Sequence, residues 1–232
     1  MKKAFFAILS LLLATNIYAQ KLEIGFIGGY QHTFPYALVS GDVNKINFNP
    51  RSGMGFNAGG YFGWNFYKNF GMDFQLVYAM RSYSFNMRYM DDNITTIFKR
   101  QVFNIELPVH LNYRFKINDQ LSVLPLVGVS ANASIHGKDM AYQDIANQKP
   151  VDKETRNDEL FGKDGRMYRF EIAPEIGILF KYKNWGIRPI YSTSLTNITR
   201  PSFGWTYSLP SKQTKYLFNH IIKLSAIYTF KL

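Results

Sequence analysis

The chain lacks cysteine altogether, and beyond its first residues it lacks any long hydrophobic run. Without cysteine it can form no disulfide bond and no thiolate metal site. No later apolar stretch approaches the about 20 residues that a spanning helix needs, so a mature chain in a membrane must cross it as a closed barrel. The sequence also has no phosphate-binding glycine loop, metal-spaced histidine cluster or nucleophile elbow.

The first residues have the pattern of an export signal. Lys2 and Lys3 supply positive charge, an apolar run follows over residues 4–14, and Ala19 is a small residue at a cleavage point before Gln20. The alternative, an uncleaved anchor, is disfavoured because the run is too short and no stop-transfer pattern follows it. We predict a signal peptide over residues 1–19 and one mature domain over residues 20–232.

The chain is basic, with 27 lysine and arginine residues against 16 acidic residues and a net charge of +11. Such a balance favours nucleic acid, an anionic membrane surface or acidic partners. Because the chain is predicted to be exported and its basic residues are scattered, we expect no nucleic-acid partner. The expected partners are outer-membrane lipid and lipopolysaccharide, whose phosphates would attract a basic protein.

Eight segments alternate apolar with polar or small residues at the period of two that is typical of β-strands. The clearest is the fourth, in which Phe103, Ile105 and Leu107 begin an apolar face opposite Asn104 and Glu106. Its length suits a tilted strand that crosses a bilayer. The predicted strands cover residues 21–31, 53–66, 70–83, 100–115, 121–135, 168–181, 185–195 and 216–230. The facing of the fifth stays open, because both of its faces begin apolar.

Short aromatic turns alternate with long polar connections. The turns lie at 67–69, 116–120 and 182–184, and the long connections at 32–52, 84–99, 136–167 and 197–214. Outer-membrane barrels have aromatic girdles, short periplasmic turns and long outer loops. A soluble β-sandwich also alternates, but its strands are usually only about five or six residues long. We therefore predict an all-β protein, an eight-stranded antiparallel up-and-down transmembrane β-barrel with both termini in the periplasm.

This topology predicts where particular side chains lie. The periplasmic girdle should contain Trp64, Phe66, Phe70, Tyr113, Phe115, Phe180, Trp185, Tyr228 and Phe230. An eight-stranded barrel has room inside only for side chains, and these should be Gln75, Arg81, Glu106, His110, Asn112, Arg114, Arg169, Glu171, Glu175, Arg188 and Lys223. Unpaired charge is costly there, so we expect Glu171 and Glu175 to pair with Arg114, Arg169 or Arg188. Pro108, Pro174 and Pro189 should lie at bulges or breaks in strand pairing.

Candidate catalytic groups are few. His110 shares a strand face with Glu106 and Arg114, but a hydrogen-bonded lumen histidine is the better interpretation than a general base. Glu171 and Glu175 lie about 13 Å apart along a strand, too far for paired-carboxylate chemistry. The charged connection at 136–167 lacks calcium-loop spacing and is the first candidate for partner contact. We predict no enzymatic activity and no catalytic, cofactor-binding or metal-binding residues.

Several segments resemble a known family. Residues 103–109 (Phe-Asn-Ile-Glu-Leu-Pro-Val) and 111–115 (Leu-Asn-Tyr-Arg-Phe) are similar to a strand and turn of the PorT-like outer-membrane β-barrels common in Bacteroidetes. Residues 194–198 and the Ala19–Gln20 junction also resemble that family. The resemblance implies a small outer-membrane barrel without established enzymatic activity. It also implies a family in which some members take part in protein secretion and gliding machinery.

These patterns favour an integral outer-membrane barrel with a structural or interaction role in the cell envelope or its secretion machinery. Other envelope proteins would then contact the outer loops. Two alternatives stay open, namely an outer-membrane lipid-modifying enzyme and a narrow channel for small solutes.

Overall fold

The fold consists almost entirely of β-strands. A computed structural model of the chain describes residues 21–39, 46–89, 94–145, 151–155, 160–161, 167–198 and 214–231. The strands are β1 (Lys21–Val39), β2 (Ile46–Arg51), β3 (Gly53–Tyr67), β4 (Phe70–Tyr89), β5 (Ile94–Tyr113), β6 (Phe115–Lys116), β7 (Leu121–Ile145), β8 (Val151–Thr155), β9 (Phe170–Tyr182), β10 (Trp185–Thr193) and β11 (Thr214–Lys231). No helix within these ranges is long and apolar enough to span a membrane. The predicted signal peptide lies outside them and stays a prediction.

Eight of the strands close into a barrel. The antiparallel pairings run in the order β1, β3, β4, β5, β7, β9, β10 and β11, and β1 also pairs with β11. Gly28, for example, lies opposite Ala226 on one side and Ala58 on the other. The short strands β2, β6 and β8 extend this wall by pairing with β4 or β7. The predicted eight-stranded barrel is confirmed, and its closed pairing satisfies the backbone without water.

Alternate residues of each strand face opposite sides of the wall, as the period of a strand requires. On β5, Glu106 and His110 are 1% and 0% exposed inside the barrel, whereas Leu107 and Leu111 are 50% and 53% exposed on the outer surface. The predicted facing of the other alternating strands follows the same rule. On the strands that alternate clearly, the polar face therefore lies inside and the apolar face lies outside.

β7 contains the predicted fifth strand, for which the sequence did not decide which face points inward. It is apolar on both faces for a structural reason. Its inward residues Leu124 and Leu126 belong to an apolar cluster inside the barrel, while Val127 and Val129 face outward. The other members of that cluster are Ile27, Tyr61, Val77, Ala79, Leu179, Ile190 and Ile227. Because part of the interior is apolar, a strand that contributes to it cannot show a polar inner face.

Two of the short turns are built on the same Lys-Asn dipeptide. Lys68 and Lys183 have φ angles of 44° and 52°, in the left-handed region that tight turns often require. In the remaining short turn, at residues 116–120, the Asn118 side chain accepts hydrogen bonds from the backbone N–H groups of Gln120 and Leu121 at 2.9 and 2.8 Å. We call the end of the barrel with these three turns the turn end, and the opposite end the loop end.

The predicted aromatic girdle encircles the outer surface at the turn end. Phe70 faces Tyr113 across β4 and β5 with ring centroids 4.8 Å apart, and Trp185 faces Tyr228 across β10 and β11 at 4.7 Å. Edge contacts continue along single strands, such as that between Tyr228 and Phe230 at 5.0 Å. The register confirms that these rings lie beside the short turns, on the outer face.

A second aromatic belt, at the loop end, was not predicted. Tyr78, Phe103 and His136 stack across three strands, with centroid distances of 5.9 and 4.3 Å. Tyrosine hydroxyls contact histidine Nδ1 elsewhere in the belt, at 2.5 Å for Tyr30 and His32 and 2.7 Å for Tyr191 and His220. Phe103 and Tyr113 lie ten residues apart on β5, or about 25 Å along the axis of a tilted strand. That is about the height of the apolar band of a membrane barrel.

The predicted extent of three long connections is wrong, because strands continue through them. Residues 32–39 and 46–51, 84–89 and 94–99, and 136–145 and 151–155 all belong to strands. In these extensions the apolar residues no longer keep to the outer face: Phe85 on β4 is buried inside, whereas Lys99 on β5 is exposed outside. The outward apolar alternation therefore ends before the strand does. By contrast, β9 and β10 have only 13 and 9 residues. At the loop end, the barrel wall is therefore lower at β9 and β10 than at β4, β5 and β7. Most of the interval 197–214 lies outside the described residues.

The prolines lie at breaks in the strand pairing, as predicted. The β4–β5 register skips Leu107 and Pro108, and the β9–β10 register skips Arg188 and Pro189. Pro174 lies one residue beyond Glu175, where the β9–β10 pairing ends. Each proline lacks the N–H that a pairing on both sides would need.

Candidate functional site

The interior of the barrel is the most highly organised polar region of the described chain. Every strand carboxylate whose side chain is described points into it and is at most 7% exposed: Glu23, Asp73, Glu106, Asp139, Glu171 and Glu175. These residues come from five different strands, and each sits at an inward position of its strand. Barrel closure therefore brings together charges that lie far apart in the sequence.

Arg81 joins two of these carboxylates at the centre of the network. Its Nη2 donates to Glu106 Oε1 at 2.6 Å, and its Nη1 donates to Glu171 Oε2 at 2.5 Å. Ser194, just beyond β10, donates its hydroxyl to the other oxygen of Glu171. Both carboxylates and the guanidinium are buried, so this pairing replaces the water that the charges would otherwise require.

Lys223 and His110 extend the network across the barrel. The Lys223 ammonium donates to Glu106 Oε2 at 2.6 Å and to Glu175 Oε1 at 2.8 Å. His110 places Nε2 2.8 Å from Glu175 and Nδ1 2.9 Å from Asp73. Ionised carboxylates only accept hydrogen bonds, so when Glu175 and Asp73 are both ionised, both ring nitrogens donate and the ring is an imidazolium.

Arg188 completes the network on the far side of Asp73. Its Nη1 donates to Asp73 at 3.1 Å, and its Nη2 donates to the side-chain carbonyl of Gln75. With an imidazolium at His110, the four cations Arg81, His110, Arg188 and Lys223 balance the four carboxylates Asp73, Glu106, Glu171 and Glu175. We call these eight residues the central network.

Three further ion pairs, in two groups, flank the central network. Glu23 pairs with Lys181 and, at 3.3 Å, with Arg114. Arg100 binds Asp139 through two hydrogen bonds of 2.5 and 2.6 Å, with its guanidinium 5.8 Å from the Tyr83 ring centroid. This two-pronged geometry is the strongest form of such a pair.

An apolar cluster closes the interior at the loop end. It combines strand residues with residues of the segments that follow β8 and β10: Tyr83, Phe85, Val102, Leu160, Phe161, Met167, Ile198 and Leu217. Among the described residues, two small cavities lined by interior side chains, one beside the central network and one beneath this cluster, have volumes of about 10 Å³ each. Each holds about one water molecule, so neither has room for a substrate.

The structure confirms most of the predicted interior residues. Nine of them are buried inside: Gln75, Arg81, Glu106, His110, Asn112, Glu171, Glu175, Arg188 and Lys223. Arg114 and Arg169 are only half-buried, and Arg169 donates to the backbone carbonyls of Ser134 and Ile135 at 3.1 and 3.0 Å. His110 is a hydrogen-bonded interior histidine, as predicted.

The predicted partners of two glutamates are wrong. Glu171 pairs with Arg81, and Glu175 pairs with Lys223 and His110, rather than with Arg114, Arg169 or Arg188. Alternation along one strand fixes which side a residue faces but not its height relative to distant strands. Glu23, Arg100, Asp139 and Lys181 were missed, although each occupies the inward phase of its strand.

Among the described residues, no group of three or more histidine, cysteine or acidic side chains is arranged to hold a metal ion. The carboxylates of the central network are occupied by cations of the protein itself. The arrangement is suited to filling space with balanced charge.

A family model described as "Outer membrane protein beta-barrel domain" matches residues 18–200. Curated protein sequences give no match. Among solved structures, Ail of Yersinia pestis is 17% identical with a TM-score of 0.39, over 90% of this chain and 98% of that chain. OprG of Pseudomonas aeruginosa is 13% identical with a TM-score of 0.47, over 91% and 96%. The outer membrane protease OmpT of Escherichia coli is 9% identical with a TM-score of 0.38, again over 91% and 96%. These values are too low for any of the three to bear on what this chain does.

Proposed function

Since the chain belongs to the outer membrane protein beta-barrel domain family and is a protein of the outer membrane, we propose that it is a sealed scaffold with a structural or interaction role in the envelope. In this proposal the loop end faces the outside, as the short turns and long connections predict. The barrel would hold its outer hairpins in fixed positions for contact with other envelope proteins. Lipid and lipopolysaccharide would surround its outer face.

The filled interior is the observation that carries this proposal. The central network crosses the barrel with every charge paired, and the apolar cluster lies over it at the loop end. A barrel filled in this way is a rigid support, whereas solute passage would require displacement of buried ion pairs. For the same reason we propose that it is neither a channel nor an enzyme, because His110 is 0% exposed and both of its ring nitrogens are engaged.

The outer hairpins are the proposed contact surface. β4 and β5 stay paired as far as Arg88 and Thr95, and β7 pairs with β8 from Asp139 to Gln143. Rigid strands that project above the membrane can present a partner surface with little loss of conformational entropy on binding. The resemblance to PorT-like barrels supports secretion machinery as the setting, and that assignment is part of the proposal.

Purification from crosslinked outer membranes tests the interaction role. We expect the intact protein to retain specific envelope proteins, and a variant whose residues 146–150 are replaced by a Gly-Ser linker to lose them. Both proteins must show the heat-modifiable gel migration of a folded barrel. Equal retention by both proteins, or none by the intact protein, would count against contact through this hairpin.

The mass profile of lipid A tests the non-enzymatic part of the proposal. We expect cells that overproduce the protein to contain unmodified lipid A. A modification that appears with the wild type and disappears with a folded His110→Gln variant would show that the protein is an enzyme.

A further inference from the structure

Each of the two small interior cavities is lined by polar groups that have no hydrogen-bond partner among the described residues. We call the one beside the central network the network cavity, and the one beneath the apolar cluster the loop-end cavity. Each has a volume of about 10 Å³, which is about the size of one water molecule. The side chains concerned, Asn57, Arg188, Asn104 and Asn219, are between 2% and 4% exposed. A polar atom this deeply buried is costly unless another molecule satisfies it.

The loop-end cavity has one donor and one acceptor to satisfy. Asn104 on β5 and Asn219 on β11 both line it. The side-chain oxygen of Asn104 accepts a hydrogen bond from Ser134 at 2.8 Å. Within the described part of the chain, Asn104 Nδ2 and Asn219 Oδ1 hydrogen-bond to no other group. A ligand for this cavity must therefore accept one hydrogen bond and donate another, which a water molecule does and a monatomic ion cannot.

The network cavity has two donors to satisfy instead. Asn57 on β3 and Arg188 on β10 both line it, and none of the described residues accepts a hydrogen bond from Asn57 Nδ2 or Arg188 Nε. The other groups of these side chains are engaged. The Asn57 oxygen accepts from Ser225 at 3.1 Å, and Arg188 Nη1 donates to Asp73 at 3.1 Å. A ligand here must therefore accept two hydrogen bonds.

Two carboxylates at the network cavity favour water over an anion. Glu106 and Glu175 line it together with Arg188, so an anion there would lie against both carboxylates. The central network already balances four cations with four carboxylates, and a further charge would be buried without compensation. A water molecule accepts from the two donors and can donate its own hydrogens to carboxylate oxygens, each of which accepts more than one hydrogen bond.

We propose that each cavity binds one ordered water molecule as an integral part of the barrel. In the network cavity, the water accepts from Asn57 Nδ2 and Arg188 Nε and joins β3 to β10. In the loop-end cavity, it accepts from Asn104 Nδ2, donates to Asn219 Oδ1 and joins β5 to β11. Neither pair of strands is adjacent in the wall, so both waters link strands through the interior. The inference concerns how the interior is filled and holds whether or not the outer hairpins bind a partner.

A crystal structure of the purified barrel, at a resolution where ordered waters are visible, tests the proposal. Crystals grown in sodium bromide allow an anomalous difference map to distinguish an anion from water. We expect one peak in each cavity, about 2.7–3.2 Å from the named atoms, and no bromide signal in either. Bromide in the network cavity, or direct contact between the paired side chains with no density between them, would overturn the proposal.

Two single variants serve as controls for each other. Asn57→Val removes a donor from the network cavity and Asn219→Val removes the acceptor from the loop-end cavity, and strands accommodate valine well. We expect each variant, shown to be folded by its heat-modifiable migration, to lose the water of its own cavity and to keep the other. In solution, the nuclear Overhauser contact between water and the Asn104 side-chain amide should be present in the wild type and in Asn57→Val, and absent in Asn219→Val.

The outcomes separate this inference from the proposed function. The same Overhauser contact in all three proteins, or loss of both waters in either variant, would contradict the assignment of one water to each cavity. A wild-type barrel that lacks both waters yet gives no conductance steps would refute this inference alone and leave the sealed scaffold standing.

Discussion

The two faces of the barrel wall solve opposite problems with alternate residues of the same strands. On β5, the side chains of Glu106 and His110 belong to the central network inside the barrel. Those of Leu107 and Leu111, each the next residue along the strand, face the membrane. The inner face admits charge because each group finds a partner of opposite sign. The outer face excludes charge from the band between the belts because lipid offers no partner.

The four histidines show the same contrast. His110 lies inside and is held between two carboxylates at 2.8 and 2.9 Å. His32, His136 and His220 lie in the loop-end belt and contact aromatic rings instead. One residue type therefore serves as a charged link in the interior and as an amphipathic ring at the interface, and only its strand phase and height distinguish the two roles.

The largest expected effect comes from removal of the carboxylate that Arg81 and Lys223 share. Glu106→Leu would leave both cations buried with one partner fewer. We expect a loss of about 3–5 kcal/mol in the free energy of unfolding, the range typical of a broken buried pair. Urea unfolding in lipid vesicles measures it.

The matched control is the adjacent outward residue. Leu107→Ala changes a lipid-exposed side chain of similar size and should cost far less. Equal losses from the two changes would show that the inner and outer faces are not energetically distinct.

A charge placed on the outer face should have the next largest effect. Leu107 lies about midway between the two belts on β5, so Leu107→Arg would place a guanidinium near the bilayer midplane at a cost of about 2–4 kcal/mol. Gln101→Arg, at the next outward position beyond Phe103 of the loop-end belt, should cost only about 0–1 kcal/mol. Unfolding free energies in the same vesicles compare them, and the reverse order would contradict the membrane position inferred from the belts.

The smallest of the three effects concerns two adjacent glycines on β3. A Cβ on Gly59 would lie 2.0 Å from the Leu76 carbonyl oxygen, whereas a Cβ on Gly60 would meet nothing within 4 Å. We expect Gly59→Ala to destabilise by about 1–3 kcal/mol, as overpacking does, and Gly60→Ala to be nearly neutral. Thermal unfolding in detergent suffices, and a neutral Gly59→Ala would mean that β4 lies less close to Gly59 than described.

Alternation predicted the eight strands and most inward residues, because the facing of a residue depends only on the phase of its own strand. Closure was predicted from the alternation of short turns with long connections and from the need of a membrane-spanning sheet to have no open edge. Alternation could not predict that Glu171 pairs with Arg81, since that depends on the stagger between strands distant in sequence. It also missed the extension of β7 to Ile145, because polar strands above a membrane have no apolar face to reveal them. The loop-end belt was missed because histidine rings share the role that only Phe, Tyr and Trp were expected to fill.

Single-channel recording of the purified wild-type barrel in planar lipid bilayers tests the sealed interior most directly. The paired charges of the central network and the apolar cluster above it predict a flat baseline in concentrated potassium chloride, with no reproducible conductance steps. Uniform, long-lived steps from correctly folded protein would contradict a filled barrel and would favour a narrow channel.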